Sequence, residues 1–469
     1  MRVDPSSGAP APTLHLPRDR APRIAVVGSG ISGLAVAHAL RGLADLTLYE
    51  AGDYFGGHTH TVDVTLPGAD GRPVTHGVDT GFLVLNERTY PNLLALFAQL
   101  GVETAPSDMS FSVQVPGAGP GGEPALEWSG TSLSTVFAQR RNLGNRRFWR
   151  MLADLLRFNH LTTGLARRLD APGHEAALMQ PLGDFLARHR LSDEFRDWYL
   201  LPMLGCIWSC PTDQMLAFPV ATMVRFCHNH GLIQITNRPQ WYTVRGGARQ
   251  YVDRIVSGMP DARLNTPVQR IEREADGVRI LTQGRAEWFD HVVLACHSDQ
   301  ALALLAQPSE QERAVLGAVR YQPNRAVLHT DASVLPSRPA AWAAWNYERA
   351  AHPGASPVNA SVCLHYLLNK LQPLPFAQPV VVSLNPVRPI ADAHVLGAYD
   401  YAHPVFDLAA IRAQRQLPAL QGQHHTHFCG AWTGYGFHED GLKSGLQVAR
   451  ELLRALPPDR TAAALSARG

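Results

Sequence analysis

Apolar and polar positions alternate in two ways along the chain. Near its start, Ile24-Ala25-Val26-Val27 is an unbroken apolar run, the pattern of a strand buried on both faces, and an Ala/Leu-rich helix to about Leu40 follows it. Asp45-Leu46-Thr47-Leu48-Tyr49 reads as the next strand, and Val74 to Leu85 as an extended segment containing Gly77 and Gly81. The strand-and-helix order returns where Val244-Arg245-Gly246-Gly247 leads into a helix over Tyr251–Ser257. Short strands are expected over Pro267–Glu272 and Gly277–Thr282, then an apolar strand over Phe289–Cys296. It returns once more where His427–Trp432 runs into glycine, ahead of a helix from about Leu442 to Leu456.

A different pattern lies between. From about Asn86 to Gln240, apolar residues recur three and four apart over Thr89–Leu100, Asn145–Arg168, Pro181–Arg190, Ser192–Ser209 and Phe218–His230, which predicts a helical cap. Residues 320–400 hold strand-like runs (Ala326–Thr330, Ala341–Tyr347, Ser361–Tyr366, Pro379–Leu384) between proline-rich turns, which predicts an antiparallel sheet.

The first strand-to-helix turn carries the chemistry. Gly28-Ser29-Gly30-Ile31-Ser32-Gly33 places one glycine for the tight turn, one for close approach of backbone to a pyrophosphate and one for helix–strand packing. Glu50 ends the second strand at the spacing where a carboxylate accepts the hydroxyls of an adenosine ribose. The unit predicts an adenine dinucleotide. Gly56-Gly57 would let the backbone pass close to it, with His58 near a phosphate or the ribityl chain; a surface turn is the bland alternative.

At 469 residues, 45% hydrophobic and 17% charged, the chain is long enough for two or more cores, and a net charge of +2 gives nucleic acid no support as a partner. Six cysteines (Cys206, Cys210, Cys227, Cys296, Cys363, Cys429) show no CxxC pair, and read as reduced thiols of a cytoplasmic protein. Residues 1–22 lack the apolar core of a secretory signal and read as disordered, as do residues 458–469. No stretch is apolar enough to span a bilayer. Arg140, Arg141, Arg146, Arg147 and Arg150 gather beside Phe148 and Trp149, either as a solvated basic face or as a seat on anionic lipid at the inner face of a membrane.

Together, Gly28–Gly33, Glu50, Gly56-Gly57, Arg245-Gly246-Gly247, Pro267-Val268, Val292–Cys296 and Gly430-Ala431 with Glu439–Gly445 resemble the superfamily of flavin-containing amine oxidases, phytoene desaturases and protoporphyrinogen oxidases. Gly57-His58-Thr59, Ala295–Leu302, Arg238–Trp241, Trp345-Asn346-Tyr347 and Gly436–Gly441 resemble a bacterial subgroup of NAD/FAD-binding proteins linked to modification of fatty acyl chains. The resemblance implies an α/β fold. A discontinuous, glutathione-reductase-like Rossmann-type FAD domain (23–85, 243–300, 425–457) would carry an inserted α+β substrate region, with a helical part at 86–242 and an antiparallel part at 301–424. It also implies non-covalent FAD, with Val268 against the adenine and the Glu439–Gly441 backbone donating near the flavin. The expected cofactor contacts are Gly28, Gly30, Ile31, Ser32, Gly33, Glu50, Ala51, Gly56, Gly57, His58, Thr59, Gly81, Val268, Cys296, Gly430, Ala431, Glu439, Asp440, Gly441 and Leu442. His58 stands where amine oxidases usually have arginine, and Asp440 where the common pattern has glycine.

The leading expectation is an FAD-dependent oxidoreductase acting on a lipophilic substrate such as a fatty acyl chain, by desaturation or a related oxidation with hydride transfer to flavin. The alternatives are an amine oxidase, and a non-redox flavin isomerase or accessory FAD-binding subunit of a lipid-modifying system. His438 and Tyr435 are the catalytic candidates, His438 either as a group titrating near neutrality or as a histidine hydrogen-bonded to its loop, and Tyr435 against the flavin or along a substrate channel. His424, His425 and His427 imitate a metal site, but no metal is expected.

Overall fold

The computed structural model describes residues 16–17, 20–115, 126–166, 180–208, 212–232, 239–349 and 362–456. Cys210, Arg238 and the expected tail at 458–469 lie outside these, as does most of the expected segment 1–22. Residues 20–22 are an exception to the disorder expected there: Arg20 forms an ion pair with Asp290 at 2.6 Å, leading the chain into its first strand.

Strands from three distant stretches meet in one parallel sheet. Its order is Ala262–Arg263, Asp45–Tyr49, Arg23–Val27, His291–Leu294 and Thr426–Phe428, with Val26 level with both Leu48 and Val293. The central strands are largely apolar because both faces are covered, Ile24, Val26 and Leu48 by the helix Ile31–Leu40 and Ala25, Val27 and Leu294 by a small antiparallel sheet carrying Ile271, Ile280 and Phe289. Ile31–Leu40 and His438–Ala455 pack together unusually closely: a Cβ on Gly445 would lie 2.3 Å from the Ser32 carbonyl oxygen. The expected strand over Phe289–Cys296 is in fact two. Arg285–Phe289 ends a small antiparallel sheet, and Asp290 then accepts from the Arg23 backbone before His291–Leu294 enters the parallel one. Pro267 and Val268 precede the strand Arg270–Arg273 rather than belonging to it.

The helices of the cap form at Pro91–Leu100, Arg146–Ala166, Leu182–Arg188, Asp193–Phe195 continuing through Leu201–Trp208, and Val220–Asn229. The expectation of an all-helical stretch needs correction. Thr104–Ser107, Phe111–Val115 and Leu126–Ser129 are strands, and the last two extend the second large sheet. Phe111-Ser-Val-Gln-Val carries the period-two alternation that the surrounding helical periodicity masks. The seven strands of that sheet run Val395–Val405, Arg320–His329, Val381–Leu384, Val362–Leu367, Trp345–Arg349, Phe111–Val115, Leu126–Ser129. Neighbours are antiparallel except Trp345–Arg349 with Phe111–Val115. Ala341 sits in a 3-10 turn ahead of its strand, and Val395–Val405 is an edge strand not foreseen, its Pro404 tolerated where no further strand needs the N–H.

The sheet has two buried faces of opposite character. Trp345, Tyr366, Val382 and Leu384 point into a cavity, whereas the other face carries a polar chain. There Arg388 pairs with Glu348, Glu348 with His365 (2.9 Å), and Ser383 Oγ sits between His365 Nδ1 (2.6 Å) and His329 Nε2 (2.7 Å). Burial lowers the pKa of His365 and pushes that of His329 down to about 4, so both act as neutral hydrogen-bonding groups.

Candidate active site

The strand Arg23–Val27 stops at Gly28, whose φ of 103° is the left-handed region that favours glycine. The three glycines of the loop serve different ends. A Cβ on Gly28 would lie 2.9 Å from the Ala295 carbonyl oxygen and one on Gly33 only 2.0 Å from that of Gly28. One on Gly30 would meet nothing within 4 Å. Gly28 and Gly33 are therefore packing glycines, and Gly30 leaves clearance. That clearance opens on a cavity of about 700 Å³ running from this loop to the cap helices.

Glu50 lies on the same wall, held by Ser29 and by the Gly52 N–H (2.8 Å). Ser29 also accepts from the Gly56 N–H (3.1 Å), so this residue, missed in the sequence, ties the two glycine loops and the acid together. Gly57 passes the loop closely: its Cβ would lie 3.3 Å from Gly30 Cα. His58 follows, partly buried, its ring 5.0 Å from that of Tyr401 and 5.1 Å from that of His403. Its Nε2 has no partner in the protein, and burial with the neighbouring imidazoles holds its pKa well below the usual histidine value. His58 thus brings a neutral imidazole to the cavity wall.

Of the expected cofactor contacts, Gly28, Gly30, Ile31, Ser32, Glu50, Ala51, Gly56, Gly57, His58, Gly81, Val268, Cys296, Gly430 and Ala431 line the cavity. Gly33, Thr59, Glu439, Asp440, Gly441 and Leu442 are not among its lining residues, and each has another task. Gly441 clears Ile31, where its Cβ would lie 2.8 Å from Cγ2. Leu442 is core. Asp440 accepts from the Tyr435 (3.0 Å) and Phe437 (3.1 Å) N–H groups, fixing the turn before the last helix, and burial pushes its pKa up to about 6.

Glu439 faces away from the cavity. Its carboxylate accepts from the Asn92 N–H (3.0 Å), the Asn92 side-chain amide (2.6 Å) and the Leu93 N–H (3.0 Å), capping the helix Pro91–Leu100 across the fold. Glu439→Ala should lower stability by about 2–4 kcal/mol, because it strands those donors, and leave flavin content unchanged. Urea denaturation followed by circular dichroism checks the first, the flavin-to-protein absorbance ratio the second. Loss of flavin at unchanged stability would make Glu439 a ligand after all.

The two catalytic candidates fare differently. His438 reaches the cavity, stacked on Phe82 (3.8 Å between ring centroids), but its Nε2 is bonded to Thr59 Oγ1 and Tyr251 Oη, both at 2.9 Å. Desolvation pushes its pKa down to about 3, so of the two expectations for His438 the geometry favours a hydrogen-bonded, neutral imidazole over a group titrating near neutrality. Tyr435 is not a lining residue: it packs against Phe226, with its backbone N–H on Asp440. The far wall is made instead by Tyr90, Phe226, Trp241, Trp345, Tyr366 and Leu384, with Tyr401 and His403 from the edge strand. Alternation along the sheet strands marks Trp345, Tyr366 and Leu384 as one face; nothing local shows which face meets the dinucleotide loops.

Charge is scarce on this wall. Among the described lining residues Glu50 is the sole carboxylate, and there is no lysine, arginine or aspartate. His230 and His403 join His58 and His438 as imidazoles that burial drives neutral, the first two to about 4. One group of metal-type donors occurs among the described residues, Glu348, Cys363 and His365, but Glu348 is already engaged by His365 and Arg388.

The family model described as flavin containing amine oxidoreductase matches residues 31–453. Among curated proteins none matches in sequence. Among solved structures, a putrescine oxidase bound to putrescine is 16% identical with a TM-score of 0.66, over 93% of this chain and 99% of that one. A fatty acid isomerase from P. acnes that produces CLA is 17% identical, TM-score 0.61, over 92% and 98%. Cyclohexylamine oxidase from Brevibacterium oxydans is 18% identical, TM-score 0.59, over 92% and 100%. At such identities these likenesses speak for the fold alone.

Proposed function

The chain belongs to the flavin-containing amine oxidoreductases and is an FAD-dependent oxidoreductase; from that premise we propose that it oxidises a lipophilic substrate carrying a fatty acyl chain, by desaturation or a related loss of hydride from carbon. The residues present fit FAD. Gly30 leaves the clearance a pyrophosphate requires, Glu50 stands at the wall where ribose hydroxyls can be accepted, and His58 Nε2 is a buried polar atom without a protein partner. Gly30–Ser32 and Gly57 would hold the phosphates through backbone N–H groups, with the first helix N-terminus favouring their charge, while the Gly28, Ser29 and Gly56 N–H groups are kept by Tyr49, Glu50 and Ser29. When bound, the flavin supplies a hydride acceptor; the protein supplies orientation and exclusion of water.

The observation that carries the substrate reading is the uncharged wall. Beyond Glu50 the cavity offers uncharged surface, much of it aromatic and aliphatic with a few hydroxyls and Gln300, and desolvation drives its histidines neutral. An ammonium entering it would lose its hydration without meeting a counter-charge, whereas an acyl chain needs none. Selection then rests on shape, along Tyr90, Phe226, Trp241, Trp345 and Tyr366. Because a fatty acid isomerase and amine oxidases share this fold, the fold leaves the substrate open, and the chemistry of the wall is what supports the acyl reading.

Binding of saturated fatty acids of increasing length, followed through the flavin absorption spectrum, should tighten with each methylene by up to about 0.8 kcal/mol, roughly fourfold. Affinity that does not respond to chain length would contradict an apolar acyl site.

A further inference from the structure

We propose that the exposed face of the helix Arg146–Ala166, with the turn Arg140–Gly144 before it, docks on an anionic lipid bilayer. Exposed large hydrophobic side chains are rare in this protein, and they are concentrated here. Leu133 (81% exposed), Leu143 (55%), Trp149 (49%) and Leu156 (58%) are four of the five among the described residues. On the helix, Arg146, Trp149, Arg150, Ala153, Leu156 and Arg157 recur at three- and four-residue spacing and form one exposed stripe. Phe148, Met151 and Phe158 bury the opposite face.

Charge on this surface has one sign. Arg140, Arg141, Arg146, Arg147, Arg150 and Arg157 are exposed, while the two acids of the described stretch 126–166, Glu127 and Asp154, are buried. Arg147 is committed to Glu194 (2.6 Å) and Arg157 lies 3.8 Å from Asp154, but no carboxylate comes within 4.0 Å of Arg140, Arg146 or Arg150 among the described residues. From the neighbouring helical run, Asp193 and Asp197 are paired with Arg196. A basic stripe interleaved with exposed leucine and half-exposed tryptophan matches an interface in which guanidinium groups meet lipid phosphates and the apolar tips enter the acyl boundary. Trp149 is held for that position: its indole N–H donates to the Leu143 carbonyl oxygen (2.9 Å) and its ring lies against Phe137. A nucleic acid would be met by the arginines but gives the exposed leucines no partner. The docking face is one helix away from the cavity, since Arg146–Ala166 packs on Val220–Asn229, whose Phe226 lines it.

The test is co-flotation of the FAD-loaded protein with vesicles, which reads docking independently of any turnover and so separates this proposal from the acyl reading. Vesicles of phosphatidylcholine mixed with phosphatidylglycerol should bind the protein, and phosphatidylcholine alone should bind it at least tenfold more weakly. The triple variant Arg140→Glu, Arg146→Glu, Arg150→Glu should lose anionic-vesicle binding by more than tenfold with unchanged flavin content and circular dichroism. The variant Leu143→Ser, Leu156→Ser should keep only binding that moderate salt removes. Failure to float with anionic vesicles, unchanged binding by the charge-reversed variant, or preference for an RNA oligonucleotide over the vesicles would each overturn the proposal.

Discussion

Gly30→Val yields a folded, soluble protein that carries no flavin. The backbone at Gly30 (φ −64°, ψ 174°) is one any residue adopts, and a Cβ there meets no atom within 4 Å, so the substitution costs the fold little. The space it fills is the part of the cavity in front of the Gly28–Gly33 loop, where a pyrophosphate must approach the backbone. Retention of FAD should fall by roughly a hundredfold or more, about 3 kcal/mol. Gly33→Val supplies the contrast. Its Cβ would lie 2.0 Å from the Gly28 carbonyl oxygen, so the first helix cannot seat on the sheet, and the protein should be recovered insoluble. Flavin-to-protein absorbance ratio and circular dichroism separate the two. A Gly30→Val protein that stays yellow would contradict the placement of the dinucleotide.

The dinucleotide loop was legible because its logic is local: an apolar run, glycines at fixed spacing, and an acid ending the next strand all lie within Arg23–Glu50. The same holds for the helices of the cap, whose apolar spacing survives in the fold to within a few residues. What escaped depends on partners far away in the chain. Phe111–Val115 reads as an interruption of a helical region until Trp345–Arg349 lies beside it. Ser29 is a small residue between two glycines until Glu50 and Gly56 converge on its hydroxyl. Glu439 sits in a motif whose backbone is expected to donate near the flavin, but nothing local shows that its carboxylate caps a helix that begins 348 residues earlier, at Pro91. His438 shows the limit most clearly. Its identity suggests titration near neutrality, and only the burial supplied by Phe82, Thr59 and Tyr251 reveals an imidazole that stays neutral.

The choice between a lipid and an amine substrate turns on charge. An amine present mainly as its ammonium form must either shed a proton or be desolvated in a cavity whose sole described carboxylate, Glu50, stands at the dinucleotide loop. The imidazoles along the wall are neutral, with His438 near 3 and His230 and His403 near 4, so they offer no compensating charge across the neutral pH range. An acyl chain pays no such cost, and its burial against Trp345, Tyr366, Val382 and Leu384 is favourable along its length. The expected preference is therefore large, at least a hundredfold in the rate of flavin reduction at equal concentration, the equivalent of about 3 kcal/mol.

The direct measurement is anaerobic reduction of the FAD-loaded protein, followed by loss of flavin absorbance, with long-chain fatty acyl lipids in one series and putrescine, cyclohexylamine and simple secondary amines in another. The acyl lipids should bleach the flavin, and the amines should give no comparable response. Rapid bleaching by an amine, with every acyl lipid inert, would contradict it.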